Sequence, residues 1–133
     1  MQISVANSTK KAPPVTGRRL ACIAKICLPS NYDLSVTYVG RTAARRLNRE
    51  LRRKDYATNI LSFSYGARDG ELVLNLDRLA RDQRELGFRT RTDAATYLLV
   101  HGALHLAGLP HGRKMDAREE AALLRLGVRR TID

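Results

Sequence analysis

The chain of 133 residues has three histidines, and all of them fall in one short stretch. It reads His101-Gly102-Ala103-Leu104-His105-Leu106-Ala107-Gly108-Leu109-Pro110-His111. Imidazole is the commonest side-chain metal ligand near neutral pH. Residues four apart on a helix stand on one face, so His101 and His105 can share an ion. Gly108 can take the left-handed conformation that ends a helix and turns the chain back, and Pro110 stiffens the return to His111. A histidine pair alone could equally be two polar residues at a helix end. The third histidine and the glycine turn weigh towards a metal. Three protein ligands with positions left open suit a catalytic zinc better than a structural one, which closes with a fourth. Zinc lowers the pKa of water to about 7, and the chemistry this offers is hydrolysis.

Such a tripod needs a helix, a turn and a scaffold behind them. Residues 2–6 alternate Ile3 and Val5 with polar neighbours, a short edge strand. Thr16 can cap a helix running to about Cys27, with Leu20, Ile23, Ala24 and Cys27 at helical spacing, ended by Pro29-Ser30-Asn31. Residues 33–39 read as a strand. Gly40 leads into a second helix over 42–51, with Ala43, Leu47 and Leu51 on one face. Residues 52–56 form a basic loop, 58–64 a buried strand, 66–70 a turn and 71–76 a further strand. Asp77 can cap a third helix that Gly87 stops. A fourth helix starts near Thr92 or Asp93 and carries Tyr97, Leu98, His101 and His105. A last helix runs over about 115–126. Strands interleaved with helices predict an α/β or α+β layered fold. No repeat, low-complexity segment or linker divides it, so residues 1–133 are expected to form one domain.

Charge narrows the substrate. Lys and Arg number 24 against 13 acids, a net charge of +11. Arginine dominates, and its planar fork suits bidentate phosphate contacts. The balance points to nucleic acid or, more blandly, to a generally basic surface. With five Tyr, two Phe and no Trp, a stacking platform for bases is not obvious. No apolar run is long enough for a transmembrane helix or a signal peptide, so a cytoplasmic protein is expected. Cys22 and Cys27 are read as two reduced thiols on a buried helix face.

The histidine spacing matches that of metzincin peptidases, His-Glu-x-x-His-x-x-Gly-x-x-His, but position 102 is Gly where those enzymes keep their general-base Glu. The form His-Gly-x-Leu-His-Leu-x-Gly-x-x-His instead resembles the signature of the YbeY family of bacterial endoribonucleases and rRNA maturation factors. Two further segments agree. Leu47, Asn48, Arg52, Asp55, Thr58, Asn59, Ile60, Leu61, Ser62 and Phe63 stand as in the family's Leu-Asn-x-x-x-Arg-x-x-Asp-x-x-Thr-Asp/Asn-Val-Leu-Ser-Phe, and 70–74 resemble its Gly-Asp-Ile-Val-Ile strand.

The resemblance implies a mixed four-stranded sheet covered by helices, with a zincin-like metal helix. It implies one zinc ion on His101, His105 and His111, cleavage of single-stranded RNA, 3′-end maturation of 16S rRNA, and ribosome quality control. Its partners would be precursor rRNA and the small ribosomal subunit, with no membrane. The family's functional arginine falls on Arg52, which beside a metal could clamp the scissile phosphate. Arg52 and His101 are thus the expected catalytic residues, His101 through the metal. The chain departs from the family at Leu109-Pro110, where Tyr-Asp is usual, and at Ser64, often Pro. Asp116, Glu119 and Glu120 follow the third histidine, either orienting a ligand imidazole or standing as solvated helix acids. Two rivals remain: a ribosome-associated binding protein with a structural or weakly active metal, favoured by Pro110, and a metallopeptidase, opposed by Gly102.

Overall fold

Alternating apolar residues build the sheet. In the computed structural model, which describes residues 1–129, Leu34, Val36 and Tyr38 are buried on one face of one strand, and Leu72 and Leu74 on the same face of another. The strands are β1 (Gln2–Asn7), β2 (Asp33–Val39), β3 (Ile60–Gly66) and β4 (Asp69–Asn75), in spatial order β1-β2-β4-β3. The first three in that order are parallel, and β3 runs antiparallel to β4. Parallel neighbours need crossovers. Helix α1 (Gly17–Cys27) connects β1 to β2, and α2 (Arg41–Arg52), followed by β3, connects β2 to β4. This is the mixed four-stranded sheet that the family resemblance implied.

The two faces of the sheet are covered unequally. On one face α1, α3 (Leu79–Leu86), α4 (Arg91–Leu106) and α5 (Arg113–Arg125) enclose the main core. On the other, α2 covers a small patch of Val39, Leu61 and Val73. Helix α4 is apolar nearly all round, as a helix wedged between a sheet and other helices must be. It lies so close to the sheet that a Cβ on Gly102 would come within 2.7 Å of Leu72 Cδ2 and 3.0 Å of Ser62 Oγ. The residue that removes a peptidase base is therefore also the one that lets the metal helix seat. No helix among the described residues is long and apolar enough to cross a membrane.

Several expectations need correction. Asp77 does not cap α3, whose first turn has no side-chain cap. Its Oδ2 accepts the Arg41 N–H at 2.8 Å, so it caps α2 from across the sheet edge, and Oδ1 lies 3.0 Å from Lys11 Nζ. Those contacts hold its carboxyl below the usual range. The buried face of α2 is Ala44 and Asn48; Ala43 and Leu47 are half-buried and Leu51 is 59% exposed. Only a small patch lies beneath the helix, and Asn48 is drawn in by donating to the Tyr56 carbonyl at 2.9 Å. Cys27 is buried, which pushes its thiol up to about 11, but Cys22 is exposed. Five residues turn a helix by ~500°, so the two cannot share a face. Strand β3 begins later than expected and runs to Gly66, through a register shift that carries its pairing on to Asp69.

Candidate metal centre

The tripod is assembled by local geometry. Thr90 caps α4 by accepting the Asp93 N–H at 3.0 Å. The helix holds His101 and His105 on successive turns and ends at Leu106. Gly108 then takes φ +94°, as the turn requires, and the Leu109 N–H reaches back to the Leu104 carbonyl at 3.1 Å. The chain returns with His111 against the other two rings. Ring centroids lie 4.6 Å (His101–His105), 5.3 Å (His101–His111) and 4.4 Å (His105–His111) apart. One nitrogen from each lies within 4.8 Å of the others, so the cluster could hold a metal ion.

Hydrogen bonds choose the nitrogens. His105 Nδ1 lies 3.0 Å from the Leu109 carbonyl, which can only accept, so this nitrogen carries the proton. His101 Nδ1 lies 2.7 Å from Glu119 Oε1, and by the same logic donates to the carboxylate. In neutral rings both Nε2 atoms are then bare acceptors, yet they face each other at 3.1 Å. Two lone pairs so close need a cation, a proton or a metal, between them. Tetrahedral zinc with Zn–N distances of ~2.0–2.1 Å sets ligand nitrogens ~3.3 Å apart, so the donor set fits. Burial, and then the charge of His101, lowers the pKa of His105 and favours the neutral form that ligates.

Of the three acids left open by sequence, the structure brings one to the site. Glu119 is 6% exposed, while Asp116 and Glu120 face solvent. A carboxylate behind a ligand imidazole fixes its tautomer and strengthens it as a donor. The signal was present: Met115, Glu119, Ala122 and Leu123 form the buried stripe of α5, and an acid on an apolar stripe needs a partner. The departure at Leu109-Pro110 also has a structural reading. Residue 109 serves the site through its backbone carbonyl, and Pro110 narrows the backbone freedom of the residue that presents it.

The imidazoles line a cleft of about 460 Å³. Arg52 and Asn59 line it too, with Ile60 and Ser62 of β3 and with Leu86 and Tyr97 from the helices. Arg52 sits in the last turn of α2 rather than in a loop, and Arg53 ends that helix in the left-handed conformation. The structure thus brings Arg52 to the same cleft as all three histidines. Its guanidinium has no hydrogen-bond or ion-pair partner among the described residues, although the surface pairs Arg45–Asp55 and Arg81–Glu85 are formed. Asn59, to which the sequence assigned no role, donates to Asp82 Oδ1 at 3.4 Å. Ser62 donates to the Gly102 carbonyl at 3.2 Å. No carboxylate lines the cleft among the described residues.

Comparison with known proteins agrees with this geometry. A family profile described as "Endoribonuclease YbeY" matches residues 6–127. The Endoribonuclease YbeY of Bordetella pertussis is 42% identical over 106 residues, covering 72% of this chain and 67% of that protein. That of Aromatoleum aromaticum is 37% identical over 124 residues, covering 91% and 78%. A solution structure of a Thermotoga maritima protein superposes with a TM-score of 0.60 over 92% of this chain and 87% of that one; at 20% identity it speaks for the fold alone. The profile match across nearly the whole described chain means that this chain belongs to the YbeY endoribonuclease family.

Proposed function

We propose that residues 1–133 act as one unit, a zinc-dependent endoribonuclease that cuts single-stranded RNA. The carrying observation is an unpartnered guanidinium, Arg52, lining one cleft with three imidazoles in a chain of net charge +11. His101, His105 and His111 would hold one zinc ion, which supplies Lewis acidity at the phosphoryl oxygen and activation of water. The protein's own groups do the rest. Glu119 and the Leu109 carbonyl hold the two Nδ1 protons and so keep the Nε2 lone pairs turned into the cleft. Arg52 binds the scissile phosphate and offsets the charge that grows as the phosphorus gains its fifth oxygen. Arg46, Arg49, Arg53 and Lys54 are exposed on and just after α2, where they neutralise the backbone of a strand leaving the cleft. Phosphodiesters suit the cleft better than peptides, because a peptidase of this spacing needs a carboxylate base and none lines it among the described residues.

The substrate in this reading is precursor 16S rRNA, cut near its 3′ end, with a role in ribosome quality control on the cytoplasmic small subunit. The absence of a lining carboxylate also favours one rival, a ribosome-bound factor whose metal does not cut. Zinc-loaded protein assayed on single-stranded RNA separates the two. His101→Ala should lose both metal and cleavage, and Arg52→Ala should keep the metal and lose cleavage. Tight RNA binding without cleavage by metal-replete wild type would decide for the binding factor, whereas an Arg52→Ala variant that cuts normally would remove Arg52 from the reaction and leave the nuclease standing.

A further inference from the structure

A second cleft, of about 390 Å³, opens on the other side of residues 56–59. It is lined by Arg41, Tyr56, Asn75, Asp77, Arg78 and Arg81. We propose that it is a second nucleotide subsite, which takes one nucleotide of the RNA strand crossing from the metal cleft, its base against Tyr56 and its phosphate on Arg41 and Arg81. The proposal rests on the endoribonuclease reading for its ligand, but not for its geometry.

Topology is the first argument. The cleft lies at the carboxyl ends of β2 and β4, which are adjacent and parallel. The helices that follow diverge: α2 packs on the small patch, while Leu79 of α3 belongs to the main core on the opposite face. Where connections leave a parallel sheet to opposite sides, they open a crevice, and nucleotides bind in such crevices.

The lining is the second argument. Tyr56 is 52% exposed, a ring held out among three guanidinium groups. The Arg41 side chain makes no hydrogen bond or ion pair among the described residues, although its charge acts on the Asp77 carboxylate and helps to lower its pKa. Arg81 is engaged with Glu85 in an exposed pair, which contributes little and yields to a phosphate. Arg78 is less free, held by Asp82 at 3.2 Å and by the Ala57 carbonyl. Asp77 is the carboxylate of the lining, and it is spent on the Arg41 N–H and on Lys11.

The third argument is the wall between the clefts. Asn59 lines the metal cleft, and Tyr56 and Ala57 line the second. Tyr56 and Asn59 are three residues apart, at most ~11 Å along the chain. All four successive carbonyls of the wall are bonded: Tyr56 O by Asn48 Nδ2, Ala57 O by Arg78 Nη1, Thr58 O by Asn75 Nδ2, and Asn59 O by the Asn75 N–H. A connecting segment braced at every carbonyl is a fixed ridge, so Tyr56 is presented in place before any ligand arrives.

The test is anisotropy of an end-labelled single-stranded RNA with the full chain in EDTA, where no cleavage occurs. Tyr56→Ala should weaken binding about tenfold, and Tyr56→Phe, which keeps the stacking face, should restore it. Arg41→Gln should lower the slope of log affinity against log salt by about 0.7, one phosphate contact to a single strand. With zinc, Tyr56→Ala and Arg41→Gln should cut a dinucleotide, whose single linkage lies in the metal cleft and leaves no phosphate for the second, at the wild-type rate. Circular dichroism checks that each variant is folded. Wild-type affinity and salt slope in folded Tyr56→Ala and Arg41→Gln overturn the proposal. So does binding of AMP, followed by tyrosine fluorescence, that RNA does not displace, which would make this a free-nucleotide site. If metal-replete wild type never cuts RNA but the variants still lose RNA affinity, the subsite stands and the endoribonuclease reading falls.

Discussion

Two helices meet at the metal cleft, and they are built in opposite ways. Helix α4 spans 16 residues, is buried along most of its length and carries His101 and His105 in a part of the core where Gly102 touches the sheet. Helix α2 spans 12 residues, buries Ala44 and Asn48, and turns a row of arginines to solvent. A metal tripod tolerates little positional error, so its residues belong on an element locked by packing. A polymer backbone is met by charges that can adjust, and long side chains on a lightly packed helix supply them. Substitutions on α4 should therefore act through folding and metal, and substitutions on α2 through RNA.

The largest effect is expected at Gly102. Gly102→Glu puts a buried, unpaired carboxylate against Leu72, Ser62 and Ile60, and should cost about 3–5 kcal/mol in chemical denaturation, enough to unfold much of the population. A stable, metal-binding Gly102→Glu protein would break the contrast. Next comes the carboxylate behind the tripod. Glu119→Gln should weaken metal affinity about 10–100-fold in a competition titration with a chelating dye, while the protein stays folded.

Arg52→Ala probes α2. Its unfolding free energy should stay within about 0.5 kcal/mol of wild type, since the residue is exposed and unpartnered, while RNA cleavage falls about 100-fold or more. A matching loss of stability would mean that α2 is as structural as α4.

The smallest effect is expected at Asp77. Asp77→Asn keeps an oxygen for the cap and removes its charge, at a cost of about 0.5 kcal/mol at pH 7. Because the folded state lowers the Asp77 pKa, its contribution is full above the unfolded value of about 3.9 and is lost as pH falls through the lowered one. The stability gap between wild type and variant should therefore close on acidification. A gap that stays unchanged there would mean the cap does not depend on charge.

The same contrast explains what could be read in advance. Along α4 and its turn, the helical repeat and the glycine place the histidines locally, and the expected positions agree with the structure. The helical spacing of α2 was also legible, but not its buried face. With little packed beneath it, the apolar stripe of Ala43, Leu47 and Leu51 yielded to an asparagine that had a carbonyl to bond. Arg52 was assigned its role through the family pattern, and the structure moved it from a loop to a helix end beside the tripod.

By itself the sequence determined what short-range geometry and composition can determine. The four-residue step of His101 and His105, the turn at Gly108, the return to His111, the basic charge and the absence of a peptidase base at position 102 all belong to this class. The stripe of α5 could single out Glu119 as an acid in need of a partner, but the tertiary structure alone decided that the partner is His101, eighteen residues away on another helix. It also decided that Asp77 caps α2 rather than the helix it precedes, and that a tyrosine from a basic segment stands in a second cleft. The physical reason is the same in each case. These contacts join elements distant in the chain, and their partners are set by strand order and by which face of the sheet each helix covers, neither of which local spacing encodes.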